Sequence, residues 1–112
     1  DPSCNAILCI VKKNVPNEER DKNYFEYVVL RCMKRNLKAS IKKLQLQYPN
    51  QTIIHQIDYT PNAIRLWTEF KKSKYGKNLM TKGRHFNRKA GYVEKRLFRD
   101  LETFHNERFN FD

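Results

Sequence analysis

Lys34, Lys38 and Lys42 recur every fourth residue, with Arg35 and Lys43 beside them and no acid among them. On a helix that spacing lines the three lysines along one face. A row of ammonium groups without i,i+4 carboxylates suits the phosphates of a nucleic-acid backbone, whose counterions it releases. The alternative is a solvated helix face that happens to be basic; the missing compensation favours binding. A second candidate runs from Lys71 to Lys89, with eight bases, His85, no acids, and the aromatics Tyr75 and Phe86. Cations interleaved with aromatics suit single-stranded nucleic acid, where rings stack on bases and cations track phosphates. Two isolated rings serve equally well as anchors to a core. A ribbon with Gly83 at its tip would instead enter a duplex groove with Arg84 as the base reader. The candidate surface therefore has two halves. One is Lys34, Arg35, Lys38, Lys42 and Lys43; the other is Lys71, Lys72, Lys74, Lys82, Arg84, Arg88 and Lys89.

These candidates belong to a wider segregation of charge. From Tyr27 to Val93 there are fifteen bases against only Asp58 and Glu69, a local charge of +13 in a chain whose net charge is +11. The other ten of the twelve acids lie in the two ends. A folded domain with this pattern presents a positive face to a polyanion. The acidic ends offer a second use for that face, since they suit the basic surface of a neighbouring copy.

Other chemistries find less support. Cys4, Cys9 and Cys32 are an odd count without CxxC or Cys/His spacing, so reduced thiols acting as small buried hydrophobes are expected, not a disulfide framework or a zinc module. His55 sits between branched residues in a strand-like run and reads as a sheet-face histidine. His85 and His105 have no Ser, Cys or acid at a telling spacing. Trp67 reads as a core anchor. The three glycines, Gly76, Gly83 and Gly91, form no phosphate loop. Neither a metal nor a cofactor is expected.

The elements that must position the candidates follow from periodicity. At 112 residues, with 39% hydrophobic and 12% aromatic content, the chain reads as a single domain with a modest two-layer core. Ala6 to Lys13 and Tyr24 to Cys32 read as two strands, joined by a long polar loop containing Pro16 and pairing as an antiparallel hairpin. Asn36 is the expected N-cap of a helix to about Tyr48, with Leu37, Ile41, Leu44 and Tyr48 inward. Thr52 to Tyr59 reads as a third strand. Thr60 and Pro61 read as the cap and first residue of a second helix that carries Ala63, Trp67 and Phe70 on its core face. Arg65 and Glu69 are spaced for an ion pair, and the helix is expected to end near Tyr75 and Gly76. Asn78 to Lys89 reads as a fourth strand, a small hairpin or a basic loop. Tyr92 to about Phe104 is the last helix, with Val93, Leu97, Leu101 and Phe104 inward, and Phe109 and Phe111 follow in a tail. The fold class is α+β: a small mixed sheet of three to four strands with three helices, in the order β-β-α-β-α-(β)-α.

Three stretches together resemble one family. They are Tyr27 to Arg35 (YVVLRCMKR) with the lysine-rich helix after it, Tyr48-Pro49-Asn50, and Ile57 to Ile64 (IDYTPNAI). The resemblance, over about Ala6 to Phe109, is to a carboxy-terminal domain of accessory proteins from large DNA viruses of insects. There a BRO-like or KilA-N-like DNA-binding module often precedes it. The order β-β-α-β-α is also similar to the GIY-YIG nuclease fold, but its strand tripeptides would be Ala6-Ile7-Leu8 and Val28-Val29-Leu30, without the family's glycine or tyrosine. Its catalytic Arg position falls on Ser40 and its acid near Arg65. That resemblance implies a kept shape with lost machinery, leaving Arg35 and Glu69 as the only displaced pair.

The expectation is therefore a viral accessory domain that binds nucleic acid, DNA in the first instance, by phosphate contacts, as a binding module in place of an enzyme. The rivals are a weak metal-dependent nuclease of GIY-YIG shape, and a homo-oligomerising or protein-binding domain with an acidic partner. The chain starts at Asp1 instead of Met and is expected to be a fragment of a longer protein. It has no apolar run that would span a membrane and no leader, so an intracellular location in the host nucleus or cytoplasm is expected.

Overall fold

The branched and aromatic runs become the centre of a five-stranded antiparallel sheet. The structure, a computed structural model, describes residues 5–108. Along the chain it comprises β1 (Ala6–Lys12), β2 (Tyr27–Met33), α1 (Leu37–Gln47), β3 (Thr52–Thr60), α2 (Ala63–Lys72), β4 (Leu79–Lys82), β5 (His85–Arg88) and α3 (Glu94–Arg108). The strands lie in the order β3-β1-β2-β5-β4. The β1–β2 hairpin pairs Ala6 with Met33 through to Lys12 with Tyr27.

Strand alternation splits the core in two. Ile7, Cys9 and Val11 of β1 join Val28, Leu30 and Leu44, and α1 covers this face with Leu37, Ile41 and Tyr48. Ala6, Leu8 and Ile10 point the other way, into a larger cluster with Tyr27, Val29, Leu66, Trp67, Phe70, Phe86, Leu97 and Leu101, under α2 and α3. β1 is thus apolar on both faces because helices cover both. Each large side chain fully withdrawn from water contributes roughly 1.5–3 kcal/mol before conformational entropy is set against it.

The expected sheet is corrected in two respects: it has five strands, and every pairing is antiparallel, so it is not mixed. The additional strands are the short hairpin β4–β5, in which Lys82 pairs with His85 across a turn at Gly83 and Arg84, with Gly83 at φ +60°. Only Leu79 and Phe86 of this hairpin are buried, so its alternation is weak in the sequence. Asn36 occupies the cap position of α1 but makes no side-chain cap bond, because the chain enters through a 3₁₀ turn, Lys34–Asn36. At α2 the cap is Asn62, whose Oδ1 accepts from Arg65 N at 2.9 Å, while Thr60 completes β3. That helix ends at Lys72, before Tyr75, and α3 starts after Val93, which is 56% exposed instead of inward. Cys4, Phe109 and Phe111 lie outside the described residues.

Candidate nucleic-acid interface

α1 carries no acid, and its inward residues Leu37, Ile41 and Leu44 leave Lys38, Lys42 and Lys43 exposed. Lys34 and Arg35 are exposed in the 3₁₀ turn that leads into it. The first half of the expected surface is therefore one continuous feature of a single helix and its entry.

The second half divides. Lys71, Lys72 and Lys74 lie at and just after the end of α2, on the opposite side of the sheet from α1. Lys71 nevertheless reaches the hairpin tip, where its Nζ donates to the Gly83 carbonyl at 3.2 Å, beside Trp67 Nε1 at 3.0 Å. Lys71, Lys82 and Arg84 thus converge on the β4–β5 turn. Arg88 points into the protein: its Nε donates to Tyr27 Oη at 2.8 Å and its guanidinium also donates to the Tyr92 carbonyl. Lys89 is exposed beyond β5. Tyr75 and Phe86 are core anchors. Phe86 is fully buried and stacks on Tyr27 at 4.8 Å, and Tyr75 stacks on Phe70 at 5.7 Å. The ring-stacking use of these two aromatics is thereby corrected.

Arg35 and Glu69 are not brought together. Arg35 enters α1 on one face of the sheet; Glu69 lies on α2 over the other, where it pairs with Arg65 at 4.0 Å. Among the described residues no group of three or more His, Cys, Asp or Glu is placed to hold a metal ion. Burial pushes the Cys9 thiol up to about 12, which makes it a poor nucleophile. His55 stacks on Phe98 at 4.8 Å and sets Nε2 3.0 Å from Glu102 Oε2, so it ties β3 to α3.

A cleft of about 810 Å³ opens on the α1 side of the sheet, between the β1–β2 loop, the end of α1 and the β4–β5 turn. Its cations are Lys13, Lys82 and Arg84, with His85 beside them. In the sequence Lys13 is only the end of a strand. The signal that finds it is alternation: Lys13 continues the Ile7, Cys9, Val11 side of β1, at the point where α1 has run out. It is only 5% exposed, and its Nζ stands 5.1 Å from the Tyr48 ring centre and 5.7 Å from that of Tyr24. Burial lowers its pKa, with nearby Asp21 working against the shift. His85 is lowered by burial and then by Lys13, Arg84 and Lys82. Like charges therefore converge here.

The chain matches the family described as "Protein of unknown function (DUF3627)" over residues 3–82. It belongs to that family. It is 33% identical over 109 residues to "Putative KilA-N domain-containing protein L4" of Acanthamoeba polyphaga mimivirus, an alignment covering 96% of this chain and 23% of that protein. The same virus's "Putative KilA-N domain-containing protein R904" is 33% identical over 106 residues, covering 94% and 30%. Its "Putative KilA-N domain-containing protein R879" is 34% identical over 94 residues, covering 80% and 31%. The chain thus spans 23–31% of the length of these curated relatives. No solved structure matches. The relatives are KilA-N domain-containing proteins of a large DNA virus, as the resemblance implies.

Proposed function

We propose that this domain binds DNA through its phosphates, as an accessory module of a viral KilA-N-type protein. The observation that carries the reading is the exposed acid-free face of α1, with Lys38, Lys42 and Lys43 on an element whose other side is packed on the sheet. A rigid helix holds these cations at fixed spacing, so little ordering cost falls on binding. Lys82 and Arg84 at the hairpin tip and Lys89 beyond it add charge at the sheet edge, while Lys71, Lys72 and Lys74 extend the positive surface on the α2 side. Arg88 serves this surface indirectly, by fixing β5 to Tyr27. Relatives named for a KilA-N domain support the viral setting. The narrower affiliation with insect viruses, an origin in a GIY-YIG-like shape, and a site of action in the infected cell belong to the same proposal. Among the described residues no helix is long and apolar enough to cross a membrane.

The test is fluorescence anisotropy with a labelled duplex across a salt series. Binding should weaken steeply with salt, and Lys38/Lys42/Lys43→Glu should remove it without unfolding the domain. Absence of binding at low salt by the folded wild type would overturn the reading, and an interaction persisting in high salt would point to an apolar protein interface.

A further inference from the structure

The cleft beside Lys13 differs from the α1 face in depth, and that difference matters. A phosphodiester inside a duplex is held on the helix surface by its neighbours on both sides. It meets exposed lysines readily, but it reaches poorly a lysine that is 5% exposed and set at the base of a cleft. A terminal phosphate enters end-on.

The cations here are held without full neutralisation. Among the described residues no carboxylate forms an ion pair with Lys13. Its ammonium is instead steadied by the negative faces of the Tyr24 and Tyr48 rings, which compensate part of its lost hydration. Two acids line the same cleft, Glu19 and Asp21. Both are exposed, and Asp21 Oδ1 is already engaged by Asn23 N at 2.9 Å in a local turn. His85 Nδ1 is buried without a hydrogen-bond partner. A buried polar atom without a partner and a buried ammonium without an anion are both expensive, and one anion would relieve both. The rest of the lining is mixed: Val15, Pro16, Phe25 and Pro49 are apolar, and the amides of Asn23 and Gln47 add neutral polar groups. The volume suits a ligand of nucleotide size.

The positioning is built into the backbone. Asn14 adopts φ 54°, and its Nδ2 donates to the Asn50 carbonyl at 2.9 Å and to Thr52 Oγ1 at 3.1 Å. Lys13 N donates to the Glu26 carbonyl at 2.9 Å. These bonds lock Lys13 between the end of α1 and the start of the β1–β2 loop.

We infer that this cleft receives a phosphate monoester, presented end-on by a nucleic-acid strand or a free nucleotide, with Lys13, Arg84 and His85 as its ligands. A monoester carries roughly −1.5 to −2 at neutral pH and offers three acceptor oxygens, which matches a cluster of cations better than a singly charged diester does. This inference does not rest on the α1 reading, since Lys13 and His85 are no part of that surface and Arg84 alone is common to both.

The experiment is calorimetric titration of the protein with a short single-stranded oligothymidylate bearing a 5′-phosphate, the same oligomer with a 5′-hydroxyl, thymidine 5′-monophosphate and inorganic phosphate. The phosphorylated oligomer should bind at least about tenfold more tightly than its hydroxyl counterpart, the scale expected of charge-assisted bonds. Lys13→Met, which keeps an unbranched side chain between the two rings, should abolish that preference while leaving duplex binding and its salt slope unchanged. Arg84→Ala, on the exposed tip, should reduce the preference too, and decides the matter if Lys13→Met does not fold. Lys38/Lys42/Lys43→Glu should lower affinity for both oligomers but keep their ratio. Monophosphate binding as tight as the phosphorylated oligomer assigns the site to a free nucleotide; weaker binding assigns it to a strand end. Equal affinity for the two oligomers, or a preference that survives in the folded Lys13 or Arg84 variant, overturns the inference.

Discussion

Tyr27 Oη donates to Glu94 Oε2 at 2.6 Å and accepts from Arg88 Nε at 2.8 Å, so one phenol in the core joins β2, β5 and the first turn of α3. Lys12 Nζ stands 3.2 Å from the same carboxylate oxygen and brings in β1. Burial works to raise the Glu94 carboxyl, but the bonds from Tyr27 and Lys12 outweigh it and hold it below the usual carboxylate range. A depressed pKa contributes stability that is fully present above the unfolded value and is lost as pH falls through the folded one. Tyr27→Phe removes a hydrogen bond to a charged group and leaves Arg88 short of an acceptor. We expect it to cost about 1.5–3 kcal/mol in urea unfolding at neutral pH, with a smaller loss in acid, where Glu94 is protonated in both proteins. An equal loss at both pH values would place the effect in packing alone.

The legible parts of this fold were those where one physical signal acted alone. The run AILCIVK is apolar up to its last residue and rich in branched side chains, and it became β1, covered on both faces. Leu37, Ile41 and Leu44 fell at helical spacing and packed together. The illegible parts were those where two signals competed. Thr60-Pro61 is a good helix start in isolation, yet Thr60 pairs with Ala6 and the cap passes to Asn62. Val93 sits at inward spacing, but the chain turns at Gly91 and enters α3 one residue later, which leaves it outside. In β4–β5 the polar residues outnumber the apolar ones, because one side of this sheet edge faces the cleft. The α1 stripe could be read from spacing, whereas the cleft could not. Lys13, Tyr24, Tyr48 and His85 are separated in sequence; the β1–β2 and β2–β5 pairings and the packing of α1 on the sheet unite them.

Two glycines test the hairpin from opposite directions. A Cβ on Gly83 would meet nothing within 4 Å, so Gly83→Ala pays only for φ +60°, about 1 kcal/mol. A Cβ on Gly76 would fall 1.8 Å from the Lys71 carbonyl oxygen, a backbone atom at the end of α2 that cannot swing aside. Gly76→Ala should cost more, about 2–4 kcal/mol. Thermal or urea unfolding of the pair checks the order. A larger loss at Gly83 would mean that its carbonyl, which accepts from Trp67 and Lys71, is displaced by the substitution.

Stability should fall on mild acidification. His85 is held below its ordinary range by burial and then by Lys13, Arg84 and Lys82, and His105 by burial, with Glu102 and Asn106 opposing. Groups with depressed histidine pKa values are neutral in the folded state and take up protons more readily when unfolded. Their contribution is therefore complete above the unfolded value of 6.5 and declines as pH drops from there towards the folded values. Melting temperature followed from pH 8 to 5 should decrease, and His85→Gln should flatten part of that decrease. A melting temperature that rises over the same interval would contradict the assignment.

The salt slope separates the α1 lysines from Arg88 without any change of ligand. Each phosphate neutralised contributes about 0.9 to the slope of log K against log salt for duplex DNA. Lys42→Ala, on the exposed face of a helix packed by Leu37, Ile41 and Leu44, should lower that slope by about 0.9 and leave the unfolding midpoint within about 0.5 kcal/mol of wild type. Arg88→Ala should do the reverse. Its guanidinium holds Tyr27 Oη and the Tyr92 carbonyl, so losing it should destabilise the fold by about 1–3 kcal/mol and leave the slope nearly unchanged. Duplex titrations at four or more salt concentrations, paired with urea melts, measure both quantities on the same samples. A slope change at Arg88 equal to that at Lys42 would show that the guanidinium leaves Tyr27 to meet DNA, and the interface would then have to include β5.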